Sequence, residues 1–342
     1  MAETGFLPED DFRLEATRSR FSKVLKKHAE LSERLSSHGS SSCCTRTENK
    51  DLVYSKYSCR DSDKSVFERL QKEFDSARAS QSQEIHLDGE EWNDGLLATI
   101  RERVHMEADR KAMAGDTTIS SGTYIQEKIT YKVGNKVICC LEGARIGIQY
   151  ETFFAGEPCE LYHMVLESKS FLEKMTVLEH TIPFFIPVRD TENDLLSSNA
   201  MKFIDRVGEL LQAYVDRREQ VRLIKELYGN QIGELYHSLP FNMVEFVLDD
   251  FECKVTVTLR YEDLSCVLPT RIRVLAWPRK NSTSPVSMNR RVNGVSGSHP
   301  SPARLSYAEE ALRSMSLPEA FAEIVLNLPP ALQQLYQQRC IS

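Results

Sequence analysis

Apolar residues recur along this chain with two periods, and the switches between them divide it. From residue 11 to 36 the spacing is helical with a heptad seam: Leu14, Phe21, His28 and Leu35 share one position, and Thr17, Val24 and Leu31 the other. Lys, Arg and Glu fill the remaining faces, which predicts an amphipathic N-terminal helix within 1–36. Thr17 and His28 are poor seam residues, so the pattern fits either a coiled coil or a lone helix lying on a core. Leu14, Phe21, Val24, Leu31 and Leu35 are the candidate partner-facing residues. The Ser-rich stretch that follows, 37–64, reads as a disordered linker. A helical segment is expected over 65–89, where Val66, Phe67, Leu70, Phe74 and Ala77 form a stripe opposite Glu68, Lys72 and Glu73. Another helix is expected from Glu90 to Ala114, with Trp92, Leu96, Ile100 and Val104 on one face and Gly115-Asp116 as its stop.

From Thr123 the period falls to two. Tyr124–Val133, Lys136–Leu141, Ile146–Phe154 and Glu160–Glu167 read as strands, separated by Gly134-Asn135, the turn at Gly143 and Gly156-Glu157-Pro158. That is a meander of three or four antiparallel strands. A long helix is expected from about Leu195 to Tyr228, with Phe203, Val207, Leu210, Tyr214, Val221, Ile224 and Tyr228 as its stripe and Gly229-Asn230 as its end. Strand spacing then returns in Met243–Leu248, Cys253–Tyr261 and Arg271–Trp277. Val255, Val257, Leu259 and Tyr261 alternate there with Lys254, Thr256, Thr258 and Arg260, the pattern of a half-buried strand. Residues 279–303 are Ser, Asn, Gly, Pro and Arg and read as a mobile insertion. Helical spacing resumes at Leu305, and Pro329-Pro330 is expected to break the final run.

Between the first meander and the long helix lies His180-Thr181-Ile182-Pro183-Phe184-Phe185-Ile186-Pro187-Val188. Proline fixes φ and removes a backbone donor, so this apolar run is neither an interior strand nor a helix. It must cross from sheet to helix in an extended, packed form. Strands grouped before helices give an α+β class, not a wound βαβ sheet. The order meander, helix, meander, helix suggests the same unit twice, although no sequence repeat is evident.

Composition narrows the function. The chain has 342 residues and a formal net charge of −7, enough for two domains and without a global basic field for nucleic acid. No apolar run approaches the ~20 residues of a membrane helix. The start, Met1-Ala2-Glu3-Thr4-Gly5-Phe6, lacks the basic and apolar stretches of a signal peptide, so an intracellular protein is expected. The 9 cysteines form no Cys-x-x-Cys, and no His stands at zinc-finger spacing from a cysteine pair. Reduced thiols are expected, with Cys253 serving as a small core residue.

A Pro-x-x-x-Pro crossover after a β-meander resembles the RWD fold, a small α+β interaction module. Ile182, Pro183, Ile186 and Pro187 carry that motif here, with Ile182 where the RWD pattern has tyrosine. The stretch from Tyr162 to Pro278 is similar to the centromere protein O family of the inner kinetochore. The likeness rests on the crossover, on Leu210-Leu211-Gln212-Ala213-Tyr214, and on Leu259-Arg260-Tyr261-Glu262-Asp263-Leu264 leading to Val267-Leu268-Pro269-Thr270. It implies tandem RWD domains, at 90–196 and 197–342, preceded by coiled coil. It also implies pairing with a second tandem-RWD subunit, centromere protein P, at the centromere in the nucleus. No cofactor, small-molecule substrate, membrane or direct DNA contact enters that reading.

Two rival functions leave traces to weigh. RWD domains share architecture with ubiquitin-conjugating enzymes, which place His-Pro-Asn shortly before a catalytic cysteine. Here the one His-Pro, His299-Pro300, precedes Ser301, and no cysteine follows Pro187 until Cys253. An inactive ubiquitin-pathway protein is the alternative function. A nucleic-acid binder would have to work through the basic loop of Arg279, Lys280, Arg290 and Arg291. That spacing resembles a bipartite nuclear localisation signal, and it equally fits a solvated basic loop. Ser284 and Ser301 each precede proline and are candidate phosphorylation sites, where added negative charge would mask the arginines.

Overall fold

Alternating apolar residues in two separate stretches build two sheets. The computed structural model describes residues 61–79, 83–87, 91–114, 129–168, 174–248, 253–278 and 302–341. Helix α1 spans Asp61–Ala79 and is followed by strand β1, Gln83–Leu87, and helix α2, Asp94–Ala114. Strands β2 (Ile129–Val133), β3 (Lys136–Leu141), β4 (Arg145–Phe154), β5 (Glu157–Glu167) and β6 (Thr176–His180) form an antiparallel meander. Strand β1 joins its β2 edge in parallel, giving a six-stranded sheet ordered β1 to β6. The proline run leads into a short helix, α3 (Val188–Thr191), a π-helical turn at Glu192–Leu196, and the long helix α4, Ala200–Tyr228. Strands β7 (Ile232–His237), β8 (Met243–Leu248), β9 (Cys253–Arg260), β10 (Arg271–Pro278) and β11 (Ala303–Arg304) form the second, antiparallel sheet. Helices α5 (Ser306–Ser314) and α6 (Leu317–Ile341) close the order.

Local chemistry sets the joints. Strands β4 and β5 meet at Ala155-Gly156, both with positive φ (52° and 85°), the tight-turn geometry that matches strand twist. Asn199 caps α4 by accepting the Lys202 N–H at 2.8 Å, and Gly229 follows its last turn.

Helix α4 is buried along its length because it serves both sheets. Its first turns press Phe203, Ile204 and Val207 toward the first sheet, where the buried Tyr150 hydroxyl donates to Ile204 O at 3.3 Å. Its last turns press Val221, Ile224 and Tyr228 toward α6, with the Tyr228 ring stacked on Phe321 at 4.4 Å. One apolar cluster therefore runs from Ile148 and Met164 of the first sheet to Val257 and Val274 of the second. Helix α1 covers the opposite face of the first sheet through Leu70, Phe74 and Ala77 on Cys139, Leu141 and Val165. Gly147 permits that approach: a Cβ there would lie 2.6 Å from the Phe74 ring.

Several expectations are corrected. The helix expected over 65–89 spans Asp61–Ala79, and Gln83–Leu87 is instead a strand. The first meander has five strands, one more than the largest expectation, because Thr176–His180 pairs with β5. Strand β7 was not anticipated, and Ala303, placed in the insertion, pairs with Ala276 as part of β11. Pro329-Pro330 does not break α6, which runs through both prolines. Phe321, Ile324, Leu328 and Leu332 stay buried on one face there, and that continuous stripe outweighs the two missing N–H bonds. The N-terminal seam and residues 279–301 lie outside the described residues.

Under α1 sits an ionisable group in an apolar box. His163 of β5 is fully buried between the rings of Phe67 and Phe74, at 5.4 and 4.7 Å, with neither ring nitrogen hydrogen-bonded. Burial lowers its pKa from 6.5 to about 4. A depressed histidine leaves stability whole above 6.5, and stability is lost as pH falls from there toward 4. Urea titrations at pH 7.5 and 5.0 should therefore show His163 costing about 2 kcal/mol at the lower pH. His163→Leu should remove that increment; an unchanged difference between the two pH values would contradict it.

Candidate functional site

The proline run is tied down at each end by backbone chemistry. Thr181 N–H donates to His163 O at 2.9 Å, and the Thr181 hydroxyl accepts from His163 N at 2.8 Å, so the run leaves β6 still paired to β5. Ile182 N–H donates to the His180 ring at 3.2 Å. Pro183 O then accepts from Ile186 N at 3.0 Å, closing a turn, and Pro187 O accepts from Thr191 N at 3.1 Å, opening α3. Proline can stand at both places because neither N–H is needed. Ile182 and Ile186 enter the core, whereas Phe184 is 83% exposed at the turn's tip. From it a line of rings leads inward: Phe185 at 5.5 Å, Tyr214 of α4 at 5.0 Å beyond, and Phe241 of the second sheet's first turn at 6.1 Å. The crossover is thus the join between the two sheets.

Helix α4 reinforces that join with polar side chains. Asp216-Arg217-Arg218-Glu219-Gln220 interrupts the apolar stripe midway along the helix, and the last four are buried. Arg217, 1% exposed, donates to Leu264 O and Cys266 O at 2.7 Å and to Pro240 O at 3.2 Å, with its guanidinium 5.4 Å from the Tyr261 ring. No carboxylate bonds it, and burial lowers its pKa. Its neighbour Arg218 reaches the other way, to Glu160 of β5 at 2.8 Å and to Glu219. Burial pulls Arg218 down, but the attraction and hydrogen bond of Glu160 outweigh it and hold the pKa above its ordinary value. One turn earlier, Gln212 takes both backbone groups of Phe153, accepting from N at 3.2 Å and donating to O at 2.6 Å. Gln220 accepts from Leu317 N at 2.8 Å and so caps α6. Arg206 holds both oxygens of Asp263 at 3.0 Å.

Three motifs read separately in the sequence meet here. The crossover touches Tyr214 through Phe185, and the loop from Tyr261 to Cys266 is bolted to Arg217 and Arg206. The polar run 216–220 was missed, since charged residues in a helix ordinarily mark a wet face; the signal was its position between Tyr214 and Val221, both buried. The candidate partner-facing residues Leu14 to Leu35, the basic residues 279–291 and the two serines lie outside the described residues. Cys253 is fully buried, as a core residue should be.

The geometry defines a protein organised around a join between two sheets. Residues 129–335 match the family model described as "Cenp-O kinetochore centromere component", which spans β2 to β11 and α4. The chain belongs to that family. Centromere protein O of Gallus gallus is 27% identical over 132 residues, 37% of this chain and 40% of that protein. The chain thus matches less than half of the length of that curated relative.

Replacing Arg217 tests the join. Arg217→Met leaves three partly buried carbonyls without their donor and should destabilise the chain by about 3 kcal/mol, read as a lowered urea midpoint with an unchanged slope. Arg217→Lys, which cannot fork among three acceptors, should recover only part of that loss. A midpoint shift below about 0.5 kcal/mol for Arg217→Met would mean the loops hold without it.

Proposed function

We propose that this chain is a non-enzymatic structural subunit of the inner kinetochore, built from two RWD-like modules that pair with a second RWD subunit. The carrying observation is the family match over 129–335, which spans both antiparallel meanders and the helix between them. The crossover of Ile182, Pro183, Ile186 and Pro187 supports the RWD identity of the first module, where it leads from a meander into helix. The partner is a counterpart of centromere protein P, and the complex supports kinetochore assembly and chromosome segregation at the centromere. The N-terminal seam of Leu14, Phe21, Val24, Leu31 and Leu35 supplies a helix–helix contact to it.

The ubiquitin-pathway alternative gains little support. Burial and Glu219 push the Cys159 thiol up, away from the thiolate that transfer chemistry needs. Cys253 is sealed in the core.

Arg279, Lys280, Arg290 and Arg291 are proposed to direct nuclear entry, and phosphate on Ser284 and Ser301 to mask them. Replacing both serines with alanine should leave the protein constitutively nuclear by fluorescence imaging. Identical distribution of wild type, alanine and aspartate forms would remove the masking role.

Coexpression with the centromere protein P counterpart should give a stable one-to-one complex by light scattering after size exclusion. The single chain should be aggregated or unstable. A well-behaved monomer that ignores that partner would overturn the pairing.

A further inference from the structure

The two sheets differ in what covers them. Both faces of the first carry packed helices, α1 on one and α4 on the other. The second sheet buries Val244, Phe246, Val255, Val257, Leu259, Ile272 and Val274 on the side shared with α4 and α6. The residues alternating with these point to the opposite face, which no described helix covers. Along β9 they are Lys254, Thr256, Thr258 and Arg260, and along β10 they are Arg271, Arg273, Leu275 and Trp277.

This face is basic in a chain of net charge −7. Lys254, Arg260, Arg271 and Arg273 are all exposed, against Glu245 of β8. Arg271 is bonded to Glu262 at 2.6 Å, while Lys254, Arg260 and Arg273 have no ion-pair partner among the described residues. Arg260 and Arg271 stand directly opposite each other across the β9–β10 pair. Like charges so placed work against a sheet; Glu262 meets Arg271, and Arg260 is the member of the pair left without an anion. Beside the cations runs an apolar strip. Buried Val247 and half-buried Thr256 and Leu275 form one row across β8, β9 and β10, and Trp277, 42% exposed, lies next along β10 opposite Lys254.

We infer that this open face is a docking surface for an acidic, amphipathic helical segment of a partner protein. Arg271 to Trp277 extends about 20 Å along the strand, matching about 13 residues of helix. Apolar side chains of that helix would lie on Leu275 and Trp277, and its carboxylates would meet Lys254, Arg260 and Arg273. A second copy of this chain does not fit, because the same cations would face each other. Nor does the adjacent segment of this chain serve: residues 279–302 contain four Arg or Lys and no Asp or Glu. Duplex DNA is disfavoured by the apolar strip, by Glu245 beside the cations, and by the chain's overall negative charge.

The test uses the full chain, or its complex if it is unstable alone. The probe is a synthetic 18-residue helix with leucines on one face and glutamates on the other. A scrambled peptide of identical composition and a 24-base-pair duplex serve as comparisons. The amphipathic peptide should bind more tightly than the scrambled one, and weaken about tenfold in R260E/R273E and in W277A. Thermal melting should show every variant folded, with R260E/R273E at or above the wild-type midpoint because the carboxylate of R260E would face Arg271. Binding that ignores all three substitutions, equal binding of the scrambled peptide, or no binding would overturn the inference. Duplex binding that is lost in R260E/R273E would assign the face to nucleic acid instead. None of these outcomes depends on whether the centromere protein P counterpart pairs with the chain, so failure of this surface and failure of that pairing are separable.

Discussion

A guanidinium buried without an anion holds this structure together. Removing Arg217 from water is costly, and the fold compensates with backbone oxygens drawn from two loops and a tyrosine ring. Phe241 and Leu264 of those loops pack on the core, but apolar contact does not set an angle. The positions of the loops follow from the need to satisfy a charge that the helix carries into the interior. Because five donors lie fixed in one plane, the loops are held in angle as well as in distance. Arg218, one residue on, points its charge at Glu160 in the other sheet, so two successive side chains span the molecule in opposite senses.

The same helix makes the two sheets mechanically interdependent. Its apolar stripe alone would allow either sheet to slide along it, since burial is not directional. Gln212 on the Phe153 backbone and Gln220 on the Leu317 N–H fix the register at two further points. The crossover acts on the same join from outside, where Phe185 lies between the exposed Phe184 and Tyr214 of the helix. A scaffold subunit needs its binding faces at constant relative orientation, and directional bonds supply that where apolar packing cannot.

Sequence pattern revealed the elements in which burial is regular. Strands β9 and β10 alternate cleanly, β3, β4, β5 and β8 stand out as apolar runs buried over most of their length, and α4 was placed to within a few residues of its ends. Strand β1 was illegible because only Ile85 and Leu87 are apolar and its pairing is parallel to a strand far along the chain. Strand β7 was hidden by exposed Gly233, Glu234 and Tyr236 at a sheet edge. Helix α6 was cut short by a local rule that tertiary burial of Leu328 and Leu332 overrides. The crossover was legible as a motif, but its role as a join was not, since that depends on Tyr214 and Phe241 arriving from elsewhere. The open basic face was present in the alternation of Lys254 to Arg260, yet only the absence of a covering helix among the described residues gives it meaning.

The sheet margins have a consequence for crowding. Val177 of β6 has its N–H taken by Glu192 at 2.8 Å and its carbonyl by Arg189 at 3.3 Å. On β10, Val274 N–H is taken by Glu309 at 3.1 Å and its carbonyl by Leu305 N–H at 3.0 Å. Charged side chains thus plug backbone sites that another strand would otherwise claim. Many copies gathered at a single locus would collide often, and an unplugged margin would let them zip into ribbons. At Val177 and Val274 an incoming strand would find no free backbone group, which interrupts the ladder at those two points.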